Sequence, residues 1–472
     1  MENENSGQPY DLAVVGAGSA AEAAAAEARR RGKSVVLVER GLIGGTCSSV
    51  GCVPSKSLLA AAAVRATAEG SRFPGISTSA GPVDLAQLVA DKDDMLAQVR
   101  QLHHVEKLAA DDIDVLEGSA AFTGSPGRPV LVVTALDGTE TRLVPDQIVI
   151  ASGAQPVIPE IPGLRNTDYL TYASAMALDH VPESLLVIGG NAVGLEQAQL
   201  FARLGAKTTV VEIAPRIAPN EDPTLSTALE QALGEEGIAF RTATTLTRVQ
   251  QTRTGVIATV VFAGETRTIT AEKILIATGR LPATDGLNLA AVGVDTGRRG
   301  EVVVDEQLRT DNPRIWAAGD VTGNAQFVYA AHAQGTIAAA NALGDEKDTL
   351  DYAALPRVTF TSPALAAVGM TPAEAEAAGQ EYEYRELPMQ FVPRAILERK
   401  ANGVLKLISE PSTQRLLGVH MVGDEAGDII TAATYALTAG LTTQQLATTW
   451  APAFTMGESL KLAAQLPPIA GQ

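Results

Sequence analysis

Two glycine-rich turns, each between an apolar segment and a long helix, constrain the fold of this chain more than any other feature. The first turn follows the apolar residues 12–15 and contains Gly16, Gly18 and Ala21, in the G-x-G-x-x-G/A pattern of dinucleotide-binding turns. The first glycine permits the tight turn, the second lets a pyrophosphate approach the backbone, and the small third residue lets the helix pack against the strand. The pyrophosphate would lie at the helix N-terminus, where N–H groups and the helix dipole favour anions.

The same strand–helix–strand pattern recurs at residues 185–212. Gly189 and Gly194 occupy the first and third glycine positions, and Asn191 occupies the second. One such pattern is weak evidence, but two in one chain predict two nucleotide sites, one for a bound flavin and one for an exchangeable nicotinamide. The alternative is a pair of α/β turns with a purely structural role.

An acidic residue follows each turn at the same distance. Glu39 and Glu212 end the second strands, each 23 residues after the first glycine (39 − 16 and 212 − 189). A carboxylate at this place accepts hydrogen bonds from ribose hydroxyls and repels a 2′-phosphate. Glu212 therefore favours NADH, whereas the nearby Arg216 would offset that repulsion and leaves NADPH open.

Three further turns fit this organisation. Segments 151–156 and 277–282 are apolar strand ends that turn at Gly153 and Gly279. They would mark where the chain leaves one nucleotide domain for the other. A third strand end closes at Asp320, where a carboxylate after a glycine can hold a ribityl hydroxyl of a flavin.

Charge and hydropathy exclude several classes of function. The net charge is −18, from 36 Lys and Arg against 54 Asp and Glu, which disfavours nucleic acids and anionic membranes as partners. The opening residues, MENENSGQPY, lack the basic start and apolar run of a secretory signal. No run of about 18 uncharged apolar residues predicts a membrane span. We expect a cytoplasmic protein.

The chain has two cysteines, Cys47 and Cys52, in the segment GGTCSSVGCVPSKSLL at residues 44–59. In a reducing compartment a structural disulfide is uncommon, so a close pair favours redox chemistry or a metal site. A four-ligand zinc site is disfavoured because no histidine lies nearby in sequence. The spacing places the sulfurs on successive turns of a distorted helix start, within reach of a disulfide, and a helix N-terminus stabilises a thiolate.

Lys56 lies four residues after Cys52, and therefore on the same face of the predicted helix. A cation there would favour a thiolate or an anionic reduced flavin; the alternative is a solvated helix lysine. The motif GGTCSSVGCVPSK resembles the redox-active motif of the FAD-dependent pyridine nucleotide–disulfide oxidoreductases, which include lipoamide dehydrogenase, glutathione reductase and mercuric reductase. The resemblance extends from about residue 9 to residue 465.

The resemblance implies roles for the residues of the motif. Cys52 would be the thiolate that faces the flavin, and Cys47 the thiol that meets the substrate. Lys56 would lie near flavin N5, paired with Glu196 of the second fingerprint helix.

Further implications concern cofactor binding and assembly. Gly45 and Thr46 would bind the FAD, and Asp320 would match the family's ribityl-binding acid. The family is homodimeric, and the partner's C-terminal segment completes each active site. In this chain that segment contains Glu458.

Together these features predict an α/β protein with two Rossmann-like dinucleotide-binding domains, glutathione reductase-like, and a C-terminal α+β dimerisation domain. Residues 1–152 would form the first part of the FAD-binding domain and residues 153–282 the NAD(P)H-binding domain. Residues 283–350 would return to the FAD-binding or central domain. Residues 351–472 lack nucleotide signals and would form the dimerisation domain.

Later segments resemble the mercuric reductases within the family. These segments are residues 324–343, 391–408, 425–447 and 454–465. In the disulfide reductases the last segment begins with histidine, in a His-Pro-Thr-x-x-Glu pattern, whereas here Ala453 stands at the position of that acid–base histidine.

The replacement at Ala453 bears on the reaction. Reduction of a disulfide ejects a thiolate that needs a proton, and a positioned acid contributes about 10²–10⁴-fold. Reduction of a soft metal ion such as Hg(II) needs thiolate ligands and two electrons. Mercuric reductases usually carry tyrosine at this position and end in a vicinal cysteine pair, while this chain ends LPPIAGQ. We also expect no extra N-terminal metal-binding domain of the kind that many of them carry. We expect a metal to reach Cys47 and Cys52 directly, as a transient substrate.

Three functions follow as hypotheses. The first is a mercuric reductase-like NAD(P)H oxidoreductase that reduces a thiophilic acceptor such as Hg(II). The second is a disulfide or small-electrophile (quinone) reductase, in which His332 or water supplies the proton; the alternative for His332 is a packed or partly solvated helix residue. The third is a non-catalytic FAD-binding protein.

Tyr329 is either a mercuric reductase-like tyrosine or a core aromatic, and His103 and His104 are expected at the surface.

Overall fold

The structure, a computed structural model, describes residues 10–471. The polar residues 1–9, on which the expectation of no secretory signal rests, lie outside the described residues, as does residue 472. Within the described chain, each of the two glycine-rich turns follows a strand of a parallel sheet.

The first sheet has five parallel strands. Their apolar runs are buried, as is usual when helices or further strands cover both faces of a parallel sheet; Leu12–Val15 is buried throughout. In spatial order the strands are Ile315–Ala317, Gln147–Ile150, Leu12–Val15, Val35–Glu39 and Asp114–Glu117.

Small residues let two helices pack closely on one face of this sheet. Helix Ser19–Arg30 is rich in alanine and packs on helix Val328–Leu343. At Gly335 a Cβ atom would lie 2.0 Å from the Ala20 carbonyl oxygen. A glycine at position 335 is therefore required for this close packing of the two helices.

The second sheet has four parallel strands around the second turn. In spatial order they are Ala239–Arg241, Lys207–Val211, Ser184–Ile188 and Lys273–Ile276. The predicted strand–helix–strand units are thus present in both sheets.

Each nucleotide-type sheet is interrupted by an antiparallel three-stranded meander, which the sequence patterns did not predict. The meanders comprise Ser119–Ser125, Arg128–Thr134 and Glu140–Leu143, and Thr244–Thr252, Gly255–Phe262 and Glu265–Ala271. Their central strands, Arg128–Thr134 and Gly255–Phe262, are largely apolar, and short apolar runs of this kind do not by themselves distinguish a strand from a buried helix segment.

The C-terminal part contains an antiparallel sheet of six strands. They are, in spatial order, Arg357–Thr359, Ala364–Gly369, Leu416–Gly423, Val404–Ser409, Glu383–Pro388 and Ile469–Ala470. The first two of these strands are joined across the cis peptide bond Ser362–Pro363.

The helices connect these strands. The α-helices are Ser19–Arg30, Gly45–Ser49, Cys52–Glu69, Leu85–Arg100, Glu106–Ala110, Tyr172–Ala175, Ala192–Leu204, Pro223–Glu235, Val328–Leu343, Pro372–Ala377, Pro393–Glu398, Ala426–Thr438, Thr443–Thr448 and Glu458–Gln465. One π-helical turn is Gln101–Val105, and 3₁₀ turns are Leu164–Asn166, Leu289–Val292, Asp320–Thr322 and Met389–Phe391.

The chain divides into two compact units, each built from separate segments. The first comprises the residues through Pro54, Ala90–Val157 and Gly279–Asp351. The second comprises Ser55–Val89, Ile158–Thr278 and the residues from Tyr352 onward. In the first unit, strands Ala154–Pro156 and Arg280–Pro282 pair antiparallel. The division of the chain into four segments remains a prediction.

One helical stretch, Gly45–Glu69, is long and apolar enough to cross a membrane by length and composition alone. Core helices of soluble proteins pass the same test, and this stretch carries both cysteines and Lys56. It is therefore weak evidence for a membrane segment.

Replacement of Gly189 by alanine tests the packing of the second turn. The backbone φ of Gly189 is +111°, and an added Cβ would lie 2.3 Å from the Ala277 carbonyl oxygen. We expect Gly189→Ala to lower the free energy of unfolding by about 2–4 kcal/mol.

The control is Gly234→Ala, because Gly234 lies in helix Pro223–Glu235 and an added Cβ would meet nothing within 4 Å. This change is expected to stabilise by about 0.5–1 kcal/mol. Calorimetric melting temperatures should rank Gly234→Ala above the unchanged protein and Gly189→Ala below it; an unchanged midpoint for Gly189→Ala would contradict the clash.

Candidate functional site

The first glycine of each turn faces a carbonyl oxygen of a neighbouring strand end. Gly16 has a φ of +118°, and a Cβ there would lie 2.4 Å from the Ala151 oxygen. Gly189 meets Ala277 in the same way. No L side chain fits at either position, so no side chain covers the backbone of either turn there.

The two acidic residues hold their turns by matching hydrogen bonds. Glu39 accepts from the backbone N–H groups of Ala17 and Gly41, at 2.8 and 2.7 Å. Glu212 accepts from Gly190 and Ala214, at 2.6 and 2.8 Å. Each carboxylate has about four acceptor sites, so lone pairs remain for a ribose. The two turns are therefore held by their acidic residues in the same way.

The cysteine motif begins directly on the first turn. A Cβ at Gly45 would lie 2.7 Å from the Gly18 Cα, and the Gly44 N–H donates to the Ala17 oxygen at 2.8 Å. Gly18 and Gly45 are thus in contact through their backbones, which brings two predicted cofactor-binding residues together. Thr46 follows in the same short helix.

Polar groups beside the first turn fit a large polar cofactor such as FAD. Ser152 adjoins Ala151 over the first turn, and its Oγ is buried with no hydrogen-bond partner among the described residues; the Nε of Arg280 is buried likewise. Arg280 also forms an ion pair with Asp320 and donates to the Ala154 oxygen at 2.9 Å. These groups offer hydrogen bonds that the protein alone does not use.

The second turn fits an exchangeable nucleotide with the same bare backbone. At Gly190 a Cβ would lie 3.0 Å from the Glu212 Cβ, and the Glu212 side chain is buried. Arg216 is held by the Pro219 oxygen, to which it donates at 2.7 Å, and its Nε is buried with no partner among the described residues.

The two cysteines lie on two helices rather than on one distorted helix start. Cys47 belongs to helix Gly45–Ser49 and is partly buried, whereas Cys52 is the exposed first residue of helix Cys52–Glu69. The break falls at Gly51, where a Cβ would lie 2.9 Å from the Thr46 oxygen. Cys52 is thus at a helix N-terminus, where a thiolate is stabilised. No cluster of three or more metal-ligand residues occurs in residues 10–471.

Lys56 and Glu196, which the resemblance pairs, are in contact. The Nζ of Lys56 lies 2.7 Å from Oε2 of Glu196, and the glutamate side chain is 7% exposed. The Phe360 N–H donates to the other oxygen, Oε1, at 2.9 Å. The Phe360 ring lies under the ammonium group, with Nζ 4.4 Å from the ring centroid. One residue therefore contacts both members of the ion pair.

The Phe360 segment is fixed by the second fingerprint helix. Gln199 accepts from the Ser362 N–H and donates to its oxygen, both at 2.8 Å. Arg203 donates to the same oxygen at 2.9 Å and pairs with Glu236. Phe360 has no signal in the sequence, because a single aromatic residue after a short strand follows no pattern.

The C-terminal residues occupy an exposed turn. Ala453 is exposed, and Glu458 begins a helix and accepts from the Phe454 N–H at 3.1 Å. Trp450 is 98% exposed.

The structure corrects the interpretation of His104. It was expected at the surface with His103, but its side chain is 15% exposed and bonds to Glu22 and Ser48. The reason is the π-helical turn Gln101–Val105, which turns His104 inward while His103 stays exposed.

Two residues near the start of helix Val328–Leu343 are accessible. Tyr329 is 44% exposed and stacks on Phe327, with ring centroids 5.4 Å apart, so it is not a core aromatic. His332 is exposed on the same helix.

Known proteins resemble this chain along nearly its whole length. A model of the pyridine nucleotide-disulphide oxidoreductase family matches residues 10–335, and a model of the family's dimerisation domain matches residues 355–464. A mercuric reductase of Streptomyces lividans is 50% identical over 97% of this chain and 96% of its own length. One from Staphylococcus aureus is 41% identical over 96% of this chain and 82% of its own length.

Solved structures show the same fold. The HOCl-induced flavoprotein disulfide reductase RclA of Escherichia coli, in a Cu(II) complex, superposes with a TM-score of 0.86 at 29% identity, covering 97% of this chain and 99% of that one. LpdA of Mycobacterium tuberculosis gives 0.86 at 27% identity, covering 96% and 99%.

A double-mutant cycle tests the contact between Lys56 and Phe360. Lys56→Met, Phe360→Leu and the double variant should reveal a coupling energy of about 0.5–1 kcal/mol, as expected for a partly exposed cation–π pair. The measurement is the free energy of unfolding. The control cycle uses Arg267→Met and Phe262→Leu, whose cation lies 5.8 Å from the ring centroid with the arginine 61% exposed. Equal coupling energies in the two cycles would show that the contact of Lys56 with Phe360 is no stronger than that of the more distant, exposed pair.

Proposed function

Because the chain belongs to the FAD-dependent pyridine nucleotide-disulphide oxidoreductase family, whose members use FAD and NAD(P)H, we propose that it reduces a thiophilic metal ion such as Hg(II) through Cys47 and Cys52. The observation that carries the proposal is the likeness to mercuric reductases along nearly the whole chain. The protein is an oxidoreductase whichever acceptor it uses.

The first turn and the cysteine motif would hold the FAD. Gly16, Gly18 and Ala21 would face its pyrophosphate, with Glu39 at the ribose. Gly45 and Thr46 would contact it from the cysteine motif. When bound, FAD supplies the transfer of two electrons from the nicotinamide to the cysteine pair.

The remaining cofactor contacts come from both units of the chain. Gly153, Gly279 and Asp320 would complete the flavin site in the first unit. Gly189, Gly194 and Glu212 would bind the nicotinamide nucleotide in the second.

The cysteines would supply the chemistry toward the acceptor. Cys52, at the N-terminus of its long helix, would keep a thiolate toward the flavin, and Cys47 would meet the acceptor. As substrate, a soft divalent ion would bind both thiolates, take two electrons from the pair and leave as the neutral metal. The pair would then be a disulfide, and two further electrons with two protons would return it to the dithiol. Lys56 would hold a positive charge one helical turn after Cys52, with its position fixed by Glu196.

The residue at position 453 supports a metal acceptor over a disulfide. A methyl group cannot donate the proton that a departing thiolate needs, and Ala453 has only that. A metal ion bound by two thiolates has no departing thiol. The absence of an acid at this position therefore costs a metal reductase less than it costs a disulfide reductase.

A second candidate is a disulfide or small-electrophile reductase. The observation that favours it is the similarity in fold to a protein described as a flavoprotein disulfide reductase. In this case the exposed His332 or water would supply the proton.

We further propose that the protein is a cytoplasmic homodimer. The matched dimerisation domain supports the assembly, and the exposed Trp450 and Phe454 near Glu458 suit a surface that a second copy covers. Glu458 would then act in the partner's site, where it would hold the turn at residues 453–457.

The test of the metal acceptor is NAD(P)H oxidation with Hg(II) under excess small thiol. Turnover should depend on the metal, and Cys47→Ala should reduce it by about 10²-fold or more, because a metal-binding thiolate is lost. Anaerobic reduction of the flavin by NADH should persist in this variant, which serves as the control. No metal-dependent turnover by the unchanged enzyme would remove the proposal.

A screen of the same preparation separates the alternatives. Turnover with glutathione disulfide, lipoamide or quinones, but not with Hg(II) or Cu(II), would favour the second candidate. A bound flavin that NADH does not bleach anaerobically would indicate the non-catalytic alternative.

The preference for NADH rests on Glu212. Its buried carboxylate would repel a 2′-phosphate, and Arg216 is held by backbone oxygens. Glu212→Gln keeps an acceptor for the Gly190 N–H and removes the charge, so the ratio of kcat/KM for NADPH to that for NADH should rise about tenfold. Glu39→Gln makes the same change at the first turn and should leave this ratio unchanged. Equal use of both nucleotides by the unchanged enzyme would contradict the preference.

A further inference from the structure

Three polar side chains form a hydrogen-bonded chain beside the helix that carries Cys47. The Nδ1 of His104 lies 2.6 Å from Oε1 of Glu22, and its Nε2 lies 2.9 Å from Oγ of Ser48. The His104 and Glu22 side chains are 15% and 20% exposed. Such buried polar groups restrict one another's rotamers.

The chemistry of the groups sets the direction of this chain. An ionised carboxylate only accepts hydrogen bonds, so the Nδ1–H of His104 donates to Glu22. In the neutral imidazole with its proton on Nδ1, Nε2 accepts from the Ser48 hydroxyl. Each link therefore has one donor and one acceptor, and the order runs from Ser48 through His104 to Glu22.

The backbone conformation around His104 determines where its imidazole ring points. His104 lies in the π-helical turn Gln101–Val105, between helices Leu85–Arg100 and Glu106–Ala110. Single π turns redirect side chains and are frequent at functional sites. The ring reaches Gly44 as well, where an added Cβ would lie 3.1 Å from Nε2. His104 thus contacts both ends of helix Gly45–Ser49.

The Cys47 helix needs such an anchor. A helix of five residues is far below the length at which helices are stable alone. Its start is tied to the first turn through the Gly44 N–H, and its end is tied through Ser48 to His104. Ser48 is the residue directly after Cys47, so a movement of Ser48 also moves Cys47.

We infer that His104 is a positioning residue for Cys47, acting through Ser48 and held by Glu22. The inference rests on the proposed role of Cys47 and Cys52 as a redox pair. Loss of the anchor gives Cys47 more freedom, so its thiol spends less time in the geometry that closes a disulfide with Cys52. The disulfide form is then disfavoured relative to the dithiol.

The test measures the dithiol–disulfide equilibrium of the FAD-loaded enzyme in glutathione redox buffers, with acid quenching and mass spectrometry. In His104→Leu the equilibrium constant for disulfide formation should fall about tenfold, which for a two-electron couple makes the midpoint potential about 30 mV less negative. Ser48→Ala should shift it in the same direction, and Ser48→Thr, which keeps the hydroxyl, should restore it.

The matched control is His103→Leu, since His103 is the exposed neighbour on the same turn. It should leave the potential unchanged, and melting temperatures should separate a local shift from a loss of fold.

If His104→Leu does not yield holoenzyme, the comparison of Ser48→Ala with Ser48→Thr decides alone. Potentials of His104→Leu or Ser48→Ala equal to that of His103→Leu would overturn the inference while Hg(II) turnover stood. Conversely, a shifted potential in an enzyme without Hg(II) turnover would keep the inference and remove the metal acceptor. If the unchanged protein shows no dithiol–disulfide couple in the titration, both the inference and the proposed function are overturned.

Discussion

The contact of backbone with backbone at the glycine turns is the constraint on which the rest of the site depends. Gly16 and Gly189 leave no room for a Cβ beside the adjoining strand ends, and Gly45 lies against Gly18. Without side chains in between, helix N–H groups remain available for a pyrophosphate. The cysteine segment must then begin on the first turn, because its backbone bonds and packs there. Nucleotide binding and thiol chemistry are thereby joined in one short stretch of chain.

The two parallel sheets carry the same turn geometry, but the segments that follow the turns differ. Each places a glutamate so that both its oxygens hold the turn. Only the first half continues into a cysteine pair. The helix of the second half instead presents Glu196, Gln199 and Arg203, which hold Lys56 and the segment at residues 360–363. The repeat therefore supplies the scaffold, and residues outside the repeated pattern supply the difference in chemistry.

Much of the site could be predicted, and the failures have physical causes. The turns, their acids and the cysteine motif are short patterns, so local spacing identified them. His104 was wrongly expected at the surface because a π turn, which has no sequence signature, turns it inward. Phe360 was missed because its partners, Lys56 and Glu196, lie on helices far from it in sequence and reach it only through tertiary packing. The three-stranded meanders were missed because short apolar runs do not by themselves distinguish a strand from a buried helix segment.

The sequence by itself determined the local units: two strand–turn–helix units, two acids at equal distances, and a cysteine pair followed by a lysine. These depend on backbone conformation and side-chain size within about 25 residues, which composition and spacing record. Only the tertiary structure decided the partners of the charged and polar groups. Lys56 meets Glu196 across 140 positions, Phe360 meets Glu196 across 164, and His104 meets Ser48 across 56. Such contacts depend on which strands become neighbours, and the free energy that selects them comes from burial over whole sheets rather than from any single segment.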